Sequence, residues 1–207
     1  MLNIVLFGPP GAGKGTQANR IKDHYSLVHL STGDIFRFNI TKATKLGLLA
    51  KSYMDKGELV PDEVTIKMLE SEVIKHPNSS GFIFDGFPRT TNQAETLDKF
   101  LESKNISISK MVALDVPDEE LIKRLLSRGK ESGRADDQNK DIISNRIKVY
   151  KDQTAVLADY YRSQNKLASV NGVGAVDEIT IRLYNKDQTY SLLWRLGRQA
   201  RIQNDSR

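Results

Sequence analysis

Gly8-Pro9-Pro10-Gly11-Ala12-Gly13-Lys14-Gly15-Thr16 stands between an apolar run, Leu2-Asn3-Ile4-Val5-Leu6-Phe7, and a polar segment from Gln17 to Tyr25. The run has the length and β-branched content of a buried strand, and the segment reads as a helix. Strand, glycine loop, lysine and helix, in that order, make an anion site. A loop with so little side chain turns its backbone N–H groups inward around phosphate oxygens. The helix behind it adds its positive N-terminal dipole. Gly8, Gly13 and Lys14 satisfy G-x-x-x-x-G-K, in which the lysine reaches the β- and γ-phosphates and the next hydroxyl serves a magnesium ion. Here Gly15 intervenes and the hydroxyl falls on Thr16. A plain tight turn would share the glycines, but not the flanking strand and helix.

Composition narrows the rest. The 207 residues suffice for one core or one core with inserts, and 39% hydrophobic with 28% charged content suits a soluble fold. No apolar run approaches the ~20 residues that span a bilayer. The start lacks a basic leader region, and its apolar run ends at the phosphate loop, so it reads as a strand rather than a signal peptide. With no cysteine there are no disulfides and no thiolate metal sites, which fits the cytoplasm. The three histidines, His24, His29 and His76, share no ligand spacing. The net charge of +5 is uneven: residues 185–207 carry +3, leaving +2 for the remainder. A basic tail is a poor argument for nucleic-acid binding by the globular part.

Further along, strands and helices alternate. Residues 26–30 form a short strand, and Ser31-Thr32-Gly33-Asp34 opens a helix that Ser31 or Thr32 caps. Residues 43–56 are helical in pattern and stop at Gly57. Pro61-Asp62-Glu63 starts a helix running to about His76. Phe82-Ile83-Phe84-Asp85 is a third strand, apolar until its last residue. A lone charge at the end of a buried strand is costly. Beside a phosphate loop, magnesium explains Asp85, and a turn or N-cap role is the alternative. Gly86-Phe87-Pro88-Arg89 then turns Arg89 back over the sheet end. A helix over 91–104, a strand at 111–116, and a helix from Asp118 follow. Gly129-Lys130-Glu131-Ser132-Gly133 reads as a short flexible loop. Ile142 to Gln164 reads as one long helix, Leu167–Asn171 as a fifth strand, and 176–184 as a last helix. Five strands alternating with helices imply a parallel sheet covered on both faces, an α/β fold. Arg124, Arg128, Arg134 and Arg146 surround the 129–133 loop. They read either as bidentate phosphate ligands or as a solvated face paired with Asp136 and Asp137, and the phosphate loop favours the first.

These residues together resemble the adenylate kinases over roughly residues 1–184. The resemblance is carried by Gly8 to Thr16, Ser31 to Asp34 with Arg37, Gly57-Glu58-Leu59-Val60, Asp85 to Arg89 with Gln93, Arg124 with Arg128, Ser132 to Asp137, and Arg146. Gly15, which broke the generic pattern, is the family's own form. The resemblance implies a P-loop NTPase fold with a five-stranded parallel sheet and helices on both faces. It divides the chain into a core (1–30, 61–126, 138–184), a nucleoside-monophosphate-binding insert (31–60) and a short lid (127–137), with a basic tail (185–207) beyond the match. It implies reversible magnesium-dependent transfer of the ATP γ-phosphoryl group to AMP, giving two ADP, without zinc. Gly11, Ala12, Gly13, Lys14, Gly15 and Thr16 would hold the ATP phosphates. Arg128 and Gly174 would flank the ATP adenine and ribose, with Arg124 stacked nearby. Thr32, Glu58, Leu59, Val60 and Gln93 would frame the AMP base, beside Gly86, Phe87 and Pro88. Arg37, Arg89, Arg134 and Arg146 would bind phosphate oxygens. Asp85 would place magnesium through water, with Thr16 as a further ligand. The expected partners are ATP, AMP and ADP, with neither nucleic acid nor membrane, in a cytoplasmic monomer. The spacing from Asp137 to Arg146 is one residue longer than the family's usual one. Two rivals stand beside this reading. A UMP/CMP kinase looks similar but tends to carry Ala where Thr32 stands and Asn where Thr90 stands. A nucleotide-responsive binding module would use the basic tail as its contact surface.

Overall fold

In the computed structural model, residues 1–184 are described. The expectations for the tail, 185–207, lie outside the described residues. Strands β1 (Ile4–Phe7), β2 (Val28–Ser31), β3 (Phe82–Asp85), β4 (Lys110–Asp115) and β5 (Leu167–Asn171) form one parallel sheet in the order β2-β3-β1-β4-β5. The five expected strands are all present. Helices α1 (Lys14–Tyr25), α2 (Thr32–Thr41), α3 (Lys45–Met54), α4 (Asp62–Ile74), α5 (Thr91–Glu102), α6 (Asp118–Ser132), α7 (Lys140–Val149), α8 (Leu157–Ser163) and α9 (Val176–Tyr184) connect and flank them.

Alternation along the strands builds a core on each face. Ile4 and Leu6 of β1 join Ile83, Val112 and Leu114 on one face, where α1, α6, α7 and α9 add Ile21, Leu125, Ile147 and Leu183. Val5 and Phe7 join Phe82, Phe84 and Met111 on the other, where α4, α5 and α8 add Leu69, Leu97 and Tyr161. A third, smaller cluster of Phe36, Ala50, Val60 and Met68 holds α2 and α3 together as a unit off the sheet end. The chain leaves β1 for β2 on one side and reaches β4 on the other. The C-terminal end of β1 is therefore a topological switch point, where open α/β sheets bind ligands.

Boundaries differ from expectation at several places. The first strand starts at Ile4 rather than Leu2: the Asn3 N–H donates to a side chain, Ser109 Oγ, while the Asn3 side chain accepts from Phe82 N and donates to Ser107 O. The second starts at Val28, since Ser26 is the left-handed C-cap of α1 with φ 54°. The expected loop at 129–133 is helical up to Ser132, and Gly133 ends α6 in the left-handed region. Gly129 is there for contact rather than for bending: a Cβ would sit 2.5 Å from the backbone oxygen of Asp137. The long helix expected over 142–164 is interrupted by a π-turn, Tyr150–Thr154, between α7 and α8. Ala155 N bonds Tyr150 O at 2.8 Å, the i→i+5 spacing of such a turn.

Candidate nucleotide site

A cavity of about 640 Å³ opens at the C-terminal end of the sheet, over β1. The glycine loop forms its floor. Gly8, Gly11 and Gly13 have φ of 134°, 87° and 92°, conformations that only glycine adopts without strain. Gly13 is the N-cap of α1 and no side chain caps the helix. The first N–H groups of α1 thus remain available to an anion. Lys14 Nζ donates to Gly8 O at 2.7 Å and to Pro9 O at 2.9 Å, bracing the loop and keeping one N–H to spare. Burial pulls the Lys14 ammonium down to about 8; the Asp85 charge opposes this, and Arg89, Arg128 and Arg146 add to it.

Asp85 ends β3 at 8% exposure. Its Oδ2 lies 3.3 Å from His29 Nε2, and a Cβ on Gly15 would lie 3.5 Å from the same oxygen, so the carboxylate faces the loop. Thr16 is exposed on the same rim. One carboxylate and one hydroxyl are hard oxygen donors that suit magnesium. They fit an ion arriving with phosphates and water, since no group of three or more His, Cys, Asp or Glu side chains is placed to hold a metal among the described residues.

The arginines converge but are tied differently. Arg89 follows the turn after β3, and its Nε donates to Gly86 O at 2.7 Å. Thr32 Oγ1 donates to the same carbonyl at 2.9 Å. Gly86 has φ 75°, and a Cβ there would press on both the Arg89 guanidinium and Thr32 Oγ1 at 2.9 Å. Burial, and then the Arg146 charge, pull Arg89 down to about 10. Arg146 donates to Asp137 Oδ1 at 2.5 Å and pairs with Asp136 at 2.9 Å. Arg128 grips Asp137 with two bonds, at 2.7 and 3.1 Å. Arg37 and Arg134 share Asp34 Oδ1, at 2.6 and 3.2 Å. The Arg134–Asp34 pair joins the segment after α6 to α2 across the cavity mouth. Asn145 of α7 adds a second tie, to Lys56 O at 2.7 Å.

Lys14, Gly11, Gly13, Gly15, Thr16, Thr32, Arg37, Glu58, Leu59, Val60, Asp85, Gly86, Phe87, Pro88, Arg89, Gln93, Arg128, Arg134 and Arg146 all line this one cavity. Three expected residues do not. Ala12 is fully buried within the loop. Arg124 pairs with Glu120 and reaches Gly172 O at 3.0 Å, and Gly174 lies in that same connection between β5 and α9. Sequence reasoning passed over His29, Val149, Tyr150 and Thr154, which also line the cavity, as does Asp136, expected only as an arginine's partner. His29 sits at period two within β2, which was its only signal. The other three depend on how α7 and the π-turn fold back.

The adenylate kinase family model matches residues 6–166. The adenylate kinase of Flavobacterium psychrophilum is 60% identical over 183 residues, covering 88% of this chain and 96% of that protein. That of Flavobacterium johnsoniae is 58% identical over the same shares. That of Mycobacteroides abscessus is 50% identical over 181 residues, 87% of this chain and 96% of its own. With the phosphate loop, the Asp85 turn and the arginine cluster meeting in one cavity, the chain belongs to the adenylate kinase family.

Proposed function

We propose that this protein transfers the terminal phosphoryl group of ATP to AMP, giving two ADP. The observation that carries the reading is a single cavity joining the phosphate loop and Lys14 to an acceptor wall of Thr32, Val60 and Gln93. An oxygen of the AMP phosphate attacks the γ-phosphorus, and the bond to the β–γ bridging oxygen breaks toward ADP. Such a transfer needs positioning and charge neutralisation more than acid–base chemistry. Lys14 and the α1 N-terminus hold the donor phosphates. Arg37 and Arg89 hold the acceptor phosphate, and Arg134 and Arg146 take the oxygens between the two nucleotides. Arg128 packs against the donor side; Arg124 and Gly174 border the β5–α9 connection, where the donor base would rest. Asp85 and Thr16, with water and phosphate oxygens, would hold magnesium, which would supply neutralisation of phosphate charge.

The segments 31–60 and 127–137 act as acceptor insert and lid. They touch through Asp34 and Arg134, and their closure over both nucleotides would exclude water that would otherwise accept the phosphoryl group. No helix among the described residues is long and apolar enough to cross a membrane. We place the protein in the cytoplasm, as a monomer.

An acceptor panel tests the reading. With ATP as donor, AMP should exceed CMP and UMP by at least a hundredfold in kcat/KM, the scale on which buried polar recognition rejects a mismatched partner. Equal or better turnover of CMP or UMP would favour a pyrimidine nucleotide kinase, and no turnover at all would favour a binding module.

Acidity gives a second check. Lys14 must be an ammonium to meet phosphate, and burial holds it down to about 8. Raising pH through that value removes the charge. The kcat/KM for ATP should therefore fall above pH 8 in the free enzyme, while saturating ATP, which favours the charged form, moves the fall to higher pH. A flat profile from pH 7 to 9.5 would contradict the role given to Lys14.

A further inference from the structure

Asp62 opens α4 just behind the cavity wall, and three donors converge on its carboxylate. Thr90 Oγ1 and Asn92 Nδ2 meet Oδ2 at 2.7 and 3.0 Å, and Gln93 Nε2 meets Oδ1 at 2.7 Å. Asp62 itself does not line the cavity; Gln93 does, at 1% exposure. The other end of the Gln93 carboxamide is also committed, because Oε1 accepts the backbone N–H of Arg89 at 2.8 Å. An ionised carboxylate only accepts, and a backbone N–H only donates. Turning the carboxamide over would set Oε1 against the Asp62 carboxylate and Nε2 against the Arg89 N–H. Two bonds would become two repulsive contacts.

The amide of Gln93 is therefore fixed in one sense. It retains one N–H and one lone pair beyond these bonds, in a fixed left-to-right order. A base edge with a ring-nitrogen acceptor beside an exocyclic amino donor matches that order. A 6-oxo purine has a ring N–H beside a carbonyl, the reverse order, and would need the amide turned over. We infer that Asp62 is a positioning residue that locks the Gln93 carboxamide and so makes the acceptor site select 6-amino over 6-oxo purine monophosphates.

This rests on the phosphotransfer reading above, and the test separates the two. AMP and IMP differ only at position 6 and the adjoining ring proton. Their kcat/KM ratio is measured for the wild type and for Asp62→Asn, with ATP as donor. The ratio is taken within one preparation, so any misfolded fraction cancels. The substituted carboxamide can face Gln93 with either its oxygen or its NH2 group, which removes one of the two contacts that fix the amide and leaves only the Arg89 N–H to oppose its turning over. The wild type should prefer AMP by roughly a hundredfold or more. In Asp62→Asn the preference should drop at least tenfold, through a higher KM for AMP, with kcat at saturating AMP within threefold of wild type. If the asparagine variant fails to fold, Asp62→Ser, which keeps a residue suited to the first helical turn, takes its place with the same expectation. A variant ratio within threefold of wild type overturns the lock, as does a wild type that uses AMP and IMP alike. A wild type that turns over neither sinks the phosphotransfer reading first.

Discussion

Lys14→Met should lower kcat by about 10²–10³, the scale for losing one preorganised donor at a charged transition state, or roughly 3–4 kcal/mol. Methionine nearly keeps the length of the side chain and loses its charge and donors. In the folded protein the ammonium braces Gly8 O and Pro9 O and has one N–H beyond those two bonds. Both loop carbonyls lose a partner, which costs stability. Removing a charge that burial already disfavours offsets part of that cost. The melting temperature should move by only a few degrees, so that lost turnover is not lost fold. A coupled assay of ADP formation beside a thermal melt checks both. Near-normal turnover in a well-folded variant would remove Lys14 from the transition state.

The second large effect is on the fold around the lid. Asp137→Ala should cost about 3 kcal/mol, because breaking a buried ion-pair network strands its partners. The Asp137 side chain is fully buried, yet takes two bonds from Arg128 and one from Arg146. Without it Arg128 has no carboxylate, and Arg146 keeps only Asp136. A loss of that size lowers the melting temperature of a chain this long by roughly 6–12 °C. Asp137→Asn should cost less at neutral pH. Burial alone would raise the Asp137 carboxyl. The hydrogen bond from Arg128 and the charges of Arg146 and Arg128 outweigh burial and hold it below the usual range. Its folded value lies beneath its unfolded one, so its contribution is complete above the unfolded value, near 4, and fades as pH falls through the folded one. The gap between wild type and Asp137→Asn should therefore narrow below pH 4 in urea unfolding. A melting temperature within 2 °C of wild type for the alanine variant would count against this network.

These two sites differ in how far the sequence alone could reach them. Lys14 is local: strand, glycines, lysine and helix are contiguous, and each propensity agrees with the next. The same locality explains why all five strands were legible, with starts misplaced where a side chain or a cap intervened, as at Asn3 and Ser26. Arg128 and Arg146 were legible as a cluster, and Asp136 and Asp137 as partners in the alternative ranked second; the pairs do form, but as a buried network rather than on a solvated face. That network depends on α6 running on through Gly129, where two glycines in five residues spoke for a loop. The close approach to the Asp137 backbone is a tertiary fact with no local signature. Asp62 was hidden more completely, because an acid in the first turn of a helix already has a sufficient local reason.

The π-turn at Tyr150–Thr154 bears on something other than shape. Before it, Ile143 and Ile147 belong to the core on one face of the sheet. After it, Leu157 and Tyr161 belong to the core on the opposite face. Val149, Tyr150 and Thr154, at the crossing, line the cavity. One continuous helical stretch thus acts as a gear between two independently packed layers, and its single widened turn sets the phase between them. The count of residues from Arg146 to Tyr161 is fixed by both layers at once. A residue gained or lost here would turn either the arginine away from the cavity or the tyrosine out of the core.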